Sequence, residues 1–330
     1  MKKVFIFLLS VVLFTSCGDS MLRKSMGTPF EVLLVCDDDI WNSSAGQALE
    51  QALDTPVPGL PQQEASFKVT RRSTDDFTTY VQAFRNIIMV DINSSYSKCE
   101  YRYERNVYAE PQIVMAIHAP DKKSLGEFVY RNAHVIVDFF TGKEREHQIC
   151  ELEKKYNKDI MALIKQKFGC EMMIPNNING RKVGEDFIWI SDYNNPSKVE
   201  MMSFAIYSYP YTSPDNFSRE HFIHKRDSVM KENIQGAESW QYIQTDEETV
   251  TIEPVSFNGR YMSIARGSWY MENDDMFGGG PFVSHSIVDE KNCRMIVVEA
   301  FVYAPNKEKR GYMRKLEASL YTLKLPLDLE

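Results

Sequence analysis

Residues 261–303 read YMSIARGSWYMENDDMFGGGPFVSHSIVDEKNCRMIVVEAFVY, and three apolar runs follow one another closely in this stretch. The runs at 261–271, 282–289 and 295–303 have strand length and are rich in β-branched and aromatic residues. The polar segment 289–292, DEKN, is typical of a tight turn between two strands. The stretch therefore predicts an antiparallel meander in the C-terminal half of the chain.

The segments around the meander extend this prediction to a whole structural unit. Upstream, strands are predicted at 170–174, 186–193 and 201–207, and a helix capped by Ser213 is predicted to run to residue 234. Downstream, a closing helix is predicted over 309–323. Residues 169–330 are thus expected to form a C-terminal antiparallel α+β unit.

The N-terminal half alternates strands with helices. Apolar runs predict strands at 30–36, 67–71, 86–92 and 111–118. Helices are predicted at 37–53, 73–84, 121–140 and 143–168, with Thr141 and Gly142 as a break between the last two. Residues 30–168 are therefore expected to form an N-terminal α/β unit with long helices. The predicted fold class is α+β, with two α/β units, the second carrying a largely antiparallel meander and a closing C-terminal helix.

The first 17 residues have the layout of a bacterial lipoprotein signal. A basic start, Met1-Lys2-Lys3, precedes the apolar run 4–14, and Cys17 follows. The run is too short to span a bilayer as a permanent helix. Residues 1–17 are thus predicted to be a signal peptide ending at a lipidated Cys17, and 18–29 a tether. Because no acidic run follows Cys17, we expect a cell-envelope protein on the outer membrane, facing the periplasm.

The composition limits the partners. The 330 residues carry a net charge of −8, which argues against nucleic acid and against docking on anionic lipid. Five cysteines remain besides Cys17, and no CxxC motif occurs. They are expected to be free thiols, although one disulfide between Cys36 and Cys99 stays open in an oxidising compartment.

The segment 94–108 is rich in tyrosine and arginine. Tyrosine and arginine are favoured at binding hot spots, which makes this segment the best predicted partner-binding surface. The same pattern is also typical of an edge strand whose tyrosines pack and whose arginines shield the edge. The candidate contact residues are Tyr101, Arg102, Tyr103, Arg105 and Tyr108.

Four aspartates form a candidate metal site. Asp37, Asp38 and Asp39 follow a predicted buried strand, and Asp91 lies near the end of another. Ligands in α/β sheets gather outside the carboxyl ends of strands, and clustered carboxylates suit Mg²⁺ or Ca²⁺. The alternative is that the first three cap the following helix and complement its dipole.

Several strand segments carry a family resemblance. Residues 31–35 (EVLLV), 84–88 (FRNII), 111–114 (PQIV) and 186–190 (DFIWI), with the lipoprotein start, resemble an uncharacterised family of Bacteroidetes lipoproteins, a domain of unknown function. The resemblance covers nearly the whole mature chain. It implies a location and a lineage, and it implies no activity.

The sequence therefore predicts a lipid-anchored envelope protein that binds a protein or glycan partner without catalysis. No Walker loop, HExxH or Gly-x-Ser-x-Gly motif occurs, and no cofactor is expected. The alternative is a metal-assisted hydrolase that uses a divalent metal at the aspartates.

Overall fold

Two β-sheets, one from residues 31–119 and one from residues 180–303, form the framework of the protein. The computed structural model describes residues 22–193, 197, 199–273 and 278–330. The predicted lipidation site, Cys17, lies outside the described residues.

The first sheet has five strands in the order β2-β1-β3-β5-β4, and only β4 runs antiparallel to its neighbour. Its strands are β1 (Glu31–Val35), β2 (Lys68–Arg72), β3 (Asn86–Ile92), β4 (Glu100–Arg105) and β5 (Ile113–Ala119). The helices that accompany it are α1 (Asp38–Trp41), α2 (Ser44–Leu53) and α3 (Lys122–Lys154). Along β1, Val32 and Leu34 pack in the cluster with α2 and α3, while Leu33 and Val35 pack in a second cluster. Burial on both faces explains the continuous apolar run.

The second sheet has seven strands in the order β6-β7-β8-β12-β11-β10-β9, and all of them pair antiparallel. Its strands are β6 (Gly180–Val183), β7 (Phe187–Ser191), β8 (Met201–Pro210), β9 (Tyr242–Phe257), β10 (Arg260–Glu272), β11 (Gly279–Asp289) and β12 (Arg294–Tyr303). Helix α5 (Arg219–Asn233) packs on one face, and α4 (Lys158–Phe168) and α6 (Arg310–Leu320) pack on the other. The predicted α+β class, the meander and the closing helix are confirmed.

Helix α3 is continuous through Thr141 and Gly142, so the predicted break there is wrong. An interior glycine costs a helix only about 1 kcal/mol, less than the packing of a long helix supplies. The break lies further along, where α3 ends at Lys154 and the Asn157 side chain accepts a hydrogen bond from the Ile160 amide at 3.1 Å to cap α4.

Two further element predictions are wrong, and one strand was not predicted. The predicted helix 73–84 contains only a 3₁₀ turn at Val81–Ala83, because Ser73 and Asp76 hydrogen-bond each other locally at 2.8 Å in a turn. Strand β9 was not predicted, because it is an edge strand whose polar, charged residues hide the alternation. The predicted strand 170–174 is reduced to one isolated bridge between Glu171 and Lys324.

The apolar side chains of α4 pack with the second sheet. Ile160, Ile164 and Phe168 belong to the cluster that contains the α6 residues and one face of β7, β8 and β12. The sequence analysis placed these residues in the N-terminal unit. The position of a domain boundary at 168/169 stays a prediction.

The remaining sequence features concern membranes and thiols. Within the part of the chain that the structure describes, none of the helices combines the length and apolar character that a membrane crossing requires. The five cysteines in the described ranges are unpaired, so Cys36 and Cys99 form no disulfide here.

Candidate functional site

A cavity of about 550 Å³ lies between the first sheet with its helices and the second sheet with its helices, which we call the two units of the fold. Its walls come from the proline-rich loop 55–58, the middle of α3, strands β9 and β10, and α6. We call this cavity the interunit cleft. The charged side chains that line it are Asp138 and Arg145 on α3, Glu253 on β9, Arg266 on β10, and Arg314 and Glu317 on α6, and its hydroxyl groups include those of Thr141 and Tyr321.

A carboxylate from the first unit holds α6 in place beside the cleft. Glu64 accepts hydrogen bonds from the backbone amides of Lys309 and Arg310, at 2.7 and 2.8 Å. These amides open α6, where backbone N–H groups lack helical partners and a negative charge is favoured. Lys309 also donates its Nζ to Gln62 Oε1 at 2.9 Å. The loop of one unit thus caps a helix of the other.

A buried ion pair forms one wall of the interunit cleft. Arg266 Nη2 donates to Glu317 Oε1 at 2.5 Å, and Glu317 is only 8% exposed. Burial alone would raise the pKa of Glu317, but the charge and hydrogen bond of Arg266 outweigh burial and lower this pKa to about 2. Glu317 is therefore ionised and fully engaged with Arg266.

Two other arginines in the cleft form no salt bridge. Arg145 lies over the Tyr321 ring, with its Cζ 3.8 Å from the ring centroid, and Arg314 lies over Phe30 at 5.0 Å. Among the described residues, neither guanidinium forms a hydrogen bond or has a carboxylate oxygen within 4.0 Å. The Nε atom of Arg314 is buried without an acceptor. Burial, offset in part by the negative charge of Glu317 and reinforced by the nearby arginines, lowers the pKa of Arg314 to about 10, so it stays charged at neutral pH.

Uncharged polar groups without partners lie at and behind the cleft. Thr141 Oγ1 lines it and is buried without a hydrogen bond. Behind Tyr321, His285 is fully buried, its ring centroid is 4.7 Å from that of Tyr321, and neither ring nitrogen has a partner. Burial lowers the pKa of His285 to about 3, so this ring is neutral.

A larger groove, of about 870 Å³, runs along the C-terminal half of α3, but its charges are mostly neutralised within the protein. Lys143 pairs with Glu146 at 2.6 Å, and Lys154 pairs with Glu151 at 2.7 Å. We therefore take the interunit cleft as the candidate site.

The sequence analysis did not identify the cleft residues. Arg145, Arg266 and Arg314 belong to three elements far apart in the chain, so no local spacing links them. The nearest sequence signal was Thr141 with Gly142, interpreted as a helix break, whereas Thr141 faces the cleft from within α3.

The tyrosine- and arginine-rich segment forms the edge strand β4 and the turn after it. Tyr101 packs on Phe128 of α3 with a centroid distance of 6.4 Å, and Tyr103 packs on Phe139 at 4.7 Å. Arg102 pairs with Glu100 at 2.8 Å. This arrangement matches the edge-strand alternative.

The other two members of the segment also have partners within the protein. Arg105 pairs with Glu146 at 3.6 Å, and Tyr108 packs against Phe77 with a centroid distance of 5.6 Å. Tyr103 is nevertheless 46% exposed. A role for the segment in partner binding stays a prediction.

The four aspartates each have a different partner. Asp37 accepts a hydrogen bond from the Thr74 amide at 3.0 Å, and Asp91 accepts one from the Tyr96 hydroxyl at 2.5 Å. Asp38 pairs with Arg71, and Asp39 pairs with Lys122 at 2.8 Å. Within the described ranges, no group of three or more His, Cys, Asp or Glu residues is placed to hold a metal ion.

The helix-capping alternative for these aspartates is also only partly met. Asp37 occupies the N-cap position of α1 without capping it, since its hydrogen bonds to Thr74 engage its carboxylate and lower its pKa. The cap of α2 is Ser43, which accepts from the Ala45 amide at 3.2 Å.

Three solved structures show remote similarity to this chain. A point mutant of protein Mog1 is 9% identical, with 47% of this chain and 90% of that chain covered and a TM-score of 0.29. The Ran-binding protein Mog1p of Saccharomyces cerevisiae is 8% identical, covers 48% and 90% of the two chains, and has a TM-score of 0.30. A Bacteroides thetaiotaomicron protein is 12% identical, covers 47% and 44%, and has a TM-score of 0.20. With TM-scores this low, none of these similarities indicates a function.

Comparison with families is more informative. None of the curated proteins matches the chain. The model described as Domain of unknown function (DUF8532) matches residues 25–153. The predicted resemblance to a domain of unknown function is thus confirmed, whereas the Bacteroidetes lipoprotein origin stays a prediction. The model described as Domain of unknown function (DUF4837) matches residues 157–322, just over half of the chain, and the chain therefore belongs to this family.

Proposed function

We propose that this protein is a lipid-anchored component of the cell envelope that binds a protein or glycan partner and does not catalyse a reaction. The anchor is supported by the sequence alone, by the basic start, the apolar run 4–14 and Cys17. Two or more acyl chains on Cys17 would hold it stably at the outer membrane, facing the periplasm.

The interunit cleft carries the binding part of the proposal. Ligand pockets occur preferentially between domains and enclose about 300–1,000 Å³, and this cleft has about 550 Å³. The loop 55–58, α3, the strand pair β9–β10 and α6 converge on it, with two guanidinium groups that form no salt bridge. Such groups are costly to keep in a fold, and they are expected where a ligand completes their contacts.

Site-specific photo-crosslinking in intact cells tests the binding site. A photo-reactive amino acid would replace His134 or Glu253, which are exposed residues of the cleft lining, or Glu104 on β4. Glu232 on α5 is the matched control, because it is exposed on the opposite face of the second sheet.

We expect a discrete crosslinked partner from His134 and Glu253 and none from Glu232. Loss of that product on Arg145→Gln would tie capture to the cleft. Capture from Glu104 alone would instead assign binding to Tyr101, Arg102, Tyr103, Arg105 and Tyr108.

The hydrolase alternative makes a different demand. Asp37, Asp38, Asp39 and Asp91 would have to give up their present partners to share a divalent metal. A rise in melting temperature with Mg²⁺ or Ca²⁺, lost on Asp37→Asn, would favour this alternative, because a ligand of the folded state stabilises it.

A further inference from the structure

We infer that the interunit cleft binds an oxyanion ligand that carries at least two negative charges, such as a polycarboxylate or a phosphate-bearing small molecule. This inference rests on the proposed function and names the chemistry of the ligand. It follows from the charges that the fold leaves unpaired in the cleft.

The interunit cleft contains more guanidinium groups than buried carboxylates. Three guanidinium groups, those of Arg145, Arg266 and Arg314, line one cavity. Glu317, the one buried carboxylate among the described residues that line the cavity, is hydrogen-bonded to Arg266 at 2.5 Å and attracts Arg314 through space without a salt bridge. Asp138 and Glu253 also line the cavity, but both are exposed and neither lies within 4.0 Å of a cleft arginine. The guanidinium groups therefore outnumber the buried carboxylate by two, and a ligand can neutralise this excess.

Hydrogen-bond donors of the residues that line the interunit cleft lack acceptors in the protein. Arg145 contacts Tyr321 through its cationic group over the ring, a contact that uses none of its N–H donors. The Nε–H of Arg314, a lining residue, is buried without an acceptor, and the Thr141 hydroxyl on the facing helix is buried without a partner as well. Buried donors without acceptors cost free energy, and oxyanions accept from guanidinium groups in short, charge-assisted bonds.

The volume of the interunit cleft limits the size of the ligand. A cavity of about 550 Å³ accepts a small organic anion whole, or the anionic end group of a longer ligand. Both have the same recognition chemistry, namely clustered carboxylate or phosphate oxygens. The arrangement favours arginine over lysine, because the guanidinium fork binds two oxygens at once.

Calorimetric titration of the purified full-length protein in detergent tests the inference. The probes are citrate, inorganic phosphate and an oligoglucuronate, with glucose as the neutral control, all at one fixed ionic strength so that screening is constant. We expect at least one of the three anions to bind and glucose not to bind. Citrate or phosphate binding would indicate a free small anion, and oligoglucuronate binding alone would indicate an end group of an acidic glycan.

Variants locate the binding. Arg145→Gln and Arg314→Gln should each weaken the binding anion at least tenfold. Arg131→Gln should not, since Arg131 is an exposed residue of the same helix that pairs only with Glu127. Circular dichroism melting checks that each variant is folded. If the variant of the more buried Arg314 does not fold, Arg145→Gln alone provides the test.

Two results would overturn the inference. One is that no anion binds, and the other is that all three arginine variants bind alike. If the calorimetric titration gives either result while His134 or Glu253 still crosslinks a partner, the cleft remains the proposed binding site and only its oxyanion chemistry is refuted. Failure of both experiments would remove the cleft as the binding site.

Discussion

At the residue scale, two arginines of the interunit cleft carry the same charge and relate to the fold in opposite ways. Arg266 forms a salt bridge with Glu317, whereas Arg314 forms none and has an unsatisfied Nε. A charge retained without a counterion is destabilising in the free protein, so its presence indicates a role other than folding.

This contrast predicts opposite effects of one substitution. Arg266→Met leaves Glu317 buried and unpaired and should lower the free energy of unfolding by about 3–5 kcal/mol. Arg314→Met removes an unsatisfied buried group and replaces the guanidinium over the Phe30 ring by an apolar side chain, so it should raise the free energy of unfolding by about 1 kcal/mol. Urea unfolding without added anions measures both, and a destabilised Arg314→Met variant would contradict the assignment.

His285 predicts a pH dependence of stability. Burial lowers its pKa to about 3 from an ordinary value of 6.5. Below pH 6.5 the unfolded chain binds a proton that the folded protein does not bind until about pH 3, so stability is full above pH 6.5 and falls as pH decreases through this window.

As the pH falls from 6.5 to about 5, the free energy of unfolding of the wild type should decrease more steeply than that of His285→Leu. The difference between the two slopes should be up to about 1.4 kcal/mol per pH unit. Urea unfolding over this range measures the difference. Ile287→Val, a buried substitution on the same strand, should lower stability and retain the wild-type slope. Equal slopes for wild type and His285→Leu would show that the ring is not kept neutral.

At the element scale, α3 links the two units. Its first half packs on α2 and the first sheet, and its middle contributes Thr141 and Arg145 to the interunit cleft. The helix contains Gly142, and a Cβ added to this glycine would have no atom within 4 Å. This glycine is therefore not required by packing.

Gly142→Ala should stabilise the protein by about 0.5–1 kcal/mol, because alanine is the better helix former. Gly46→Ala in α2 is the matched control, since its Cβ would lie 2.0 Å from the Trp41 carbonyl oxygen and should destabilise the protein. Thermal melting compares the two. A lower melting temperature for Gly142→Ala would mean that α3 needs a flexible point there.

At the scale of the whole molecule, two sheets with separate cores are joined through α3, α6 and the loop that carries Glu64. The connection along the chain between α3 and α4 is short and contains the exposed Lys155.

Limited proteolysis tests the predicted division into units. Trypsin should cleave first after Lys155, because cleavage needs local unfolding and the strands of the meander are buried on both faces. Mass spectrometry of the early fragments identifies the site. Early cleavage within β11 or β12 would argue against two stable units.

The proposed lipid anchor also belongs to the scale of the whole molecule. Cys17→Ala removes the thiol that would accept the diacylglyceryl group, so the variant should lose lipid labelling and leave the membrane fraction. Ser16→Ala is the control, because it changes a neighbouring small residue and keeps the thiol. Labelling that persists in Cys17→Ala would refute the predicted anchor.

The sequence by itself determined the features that depend on local patterns. The apolar runs of β1, β3, β5 and the meander predicted strands correctly, because strands buried on both faces consist almost wholly of apolar residues. The pairing and order of the strands could be predicted in part, since consecutive apolar strands joined by a tight turn favour a meander.

Only the tertiary structure decided where charges meet. Arg145, Arg266 and Arg314 come from a helix, a strand and a second helix, and nothing in their separate neighbourhoods predicts that they line one cavity. The edge strand β9 and the unbroken α3 were likewise set by packing, which outweighed local polarity and a glycine. Local sequence specifies elements through propensity and period, whereas a site between units depends on distances that exist only after those elements have packed.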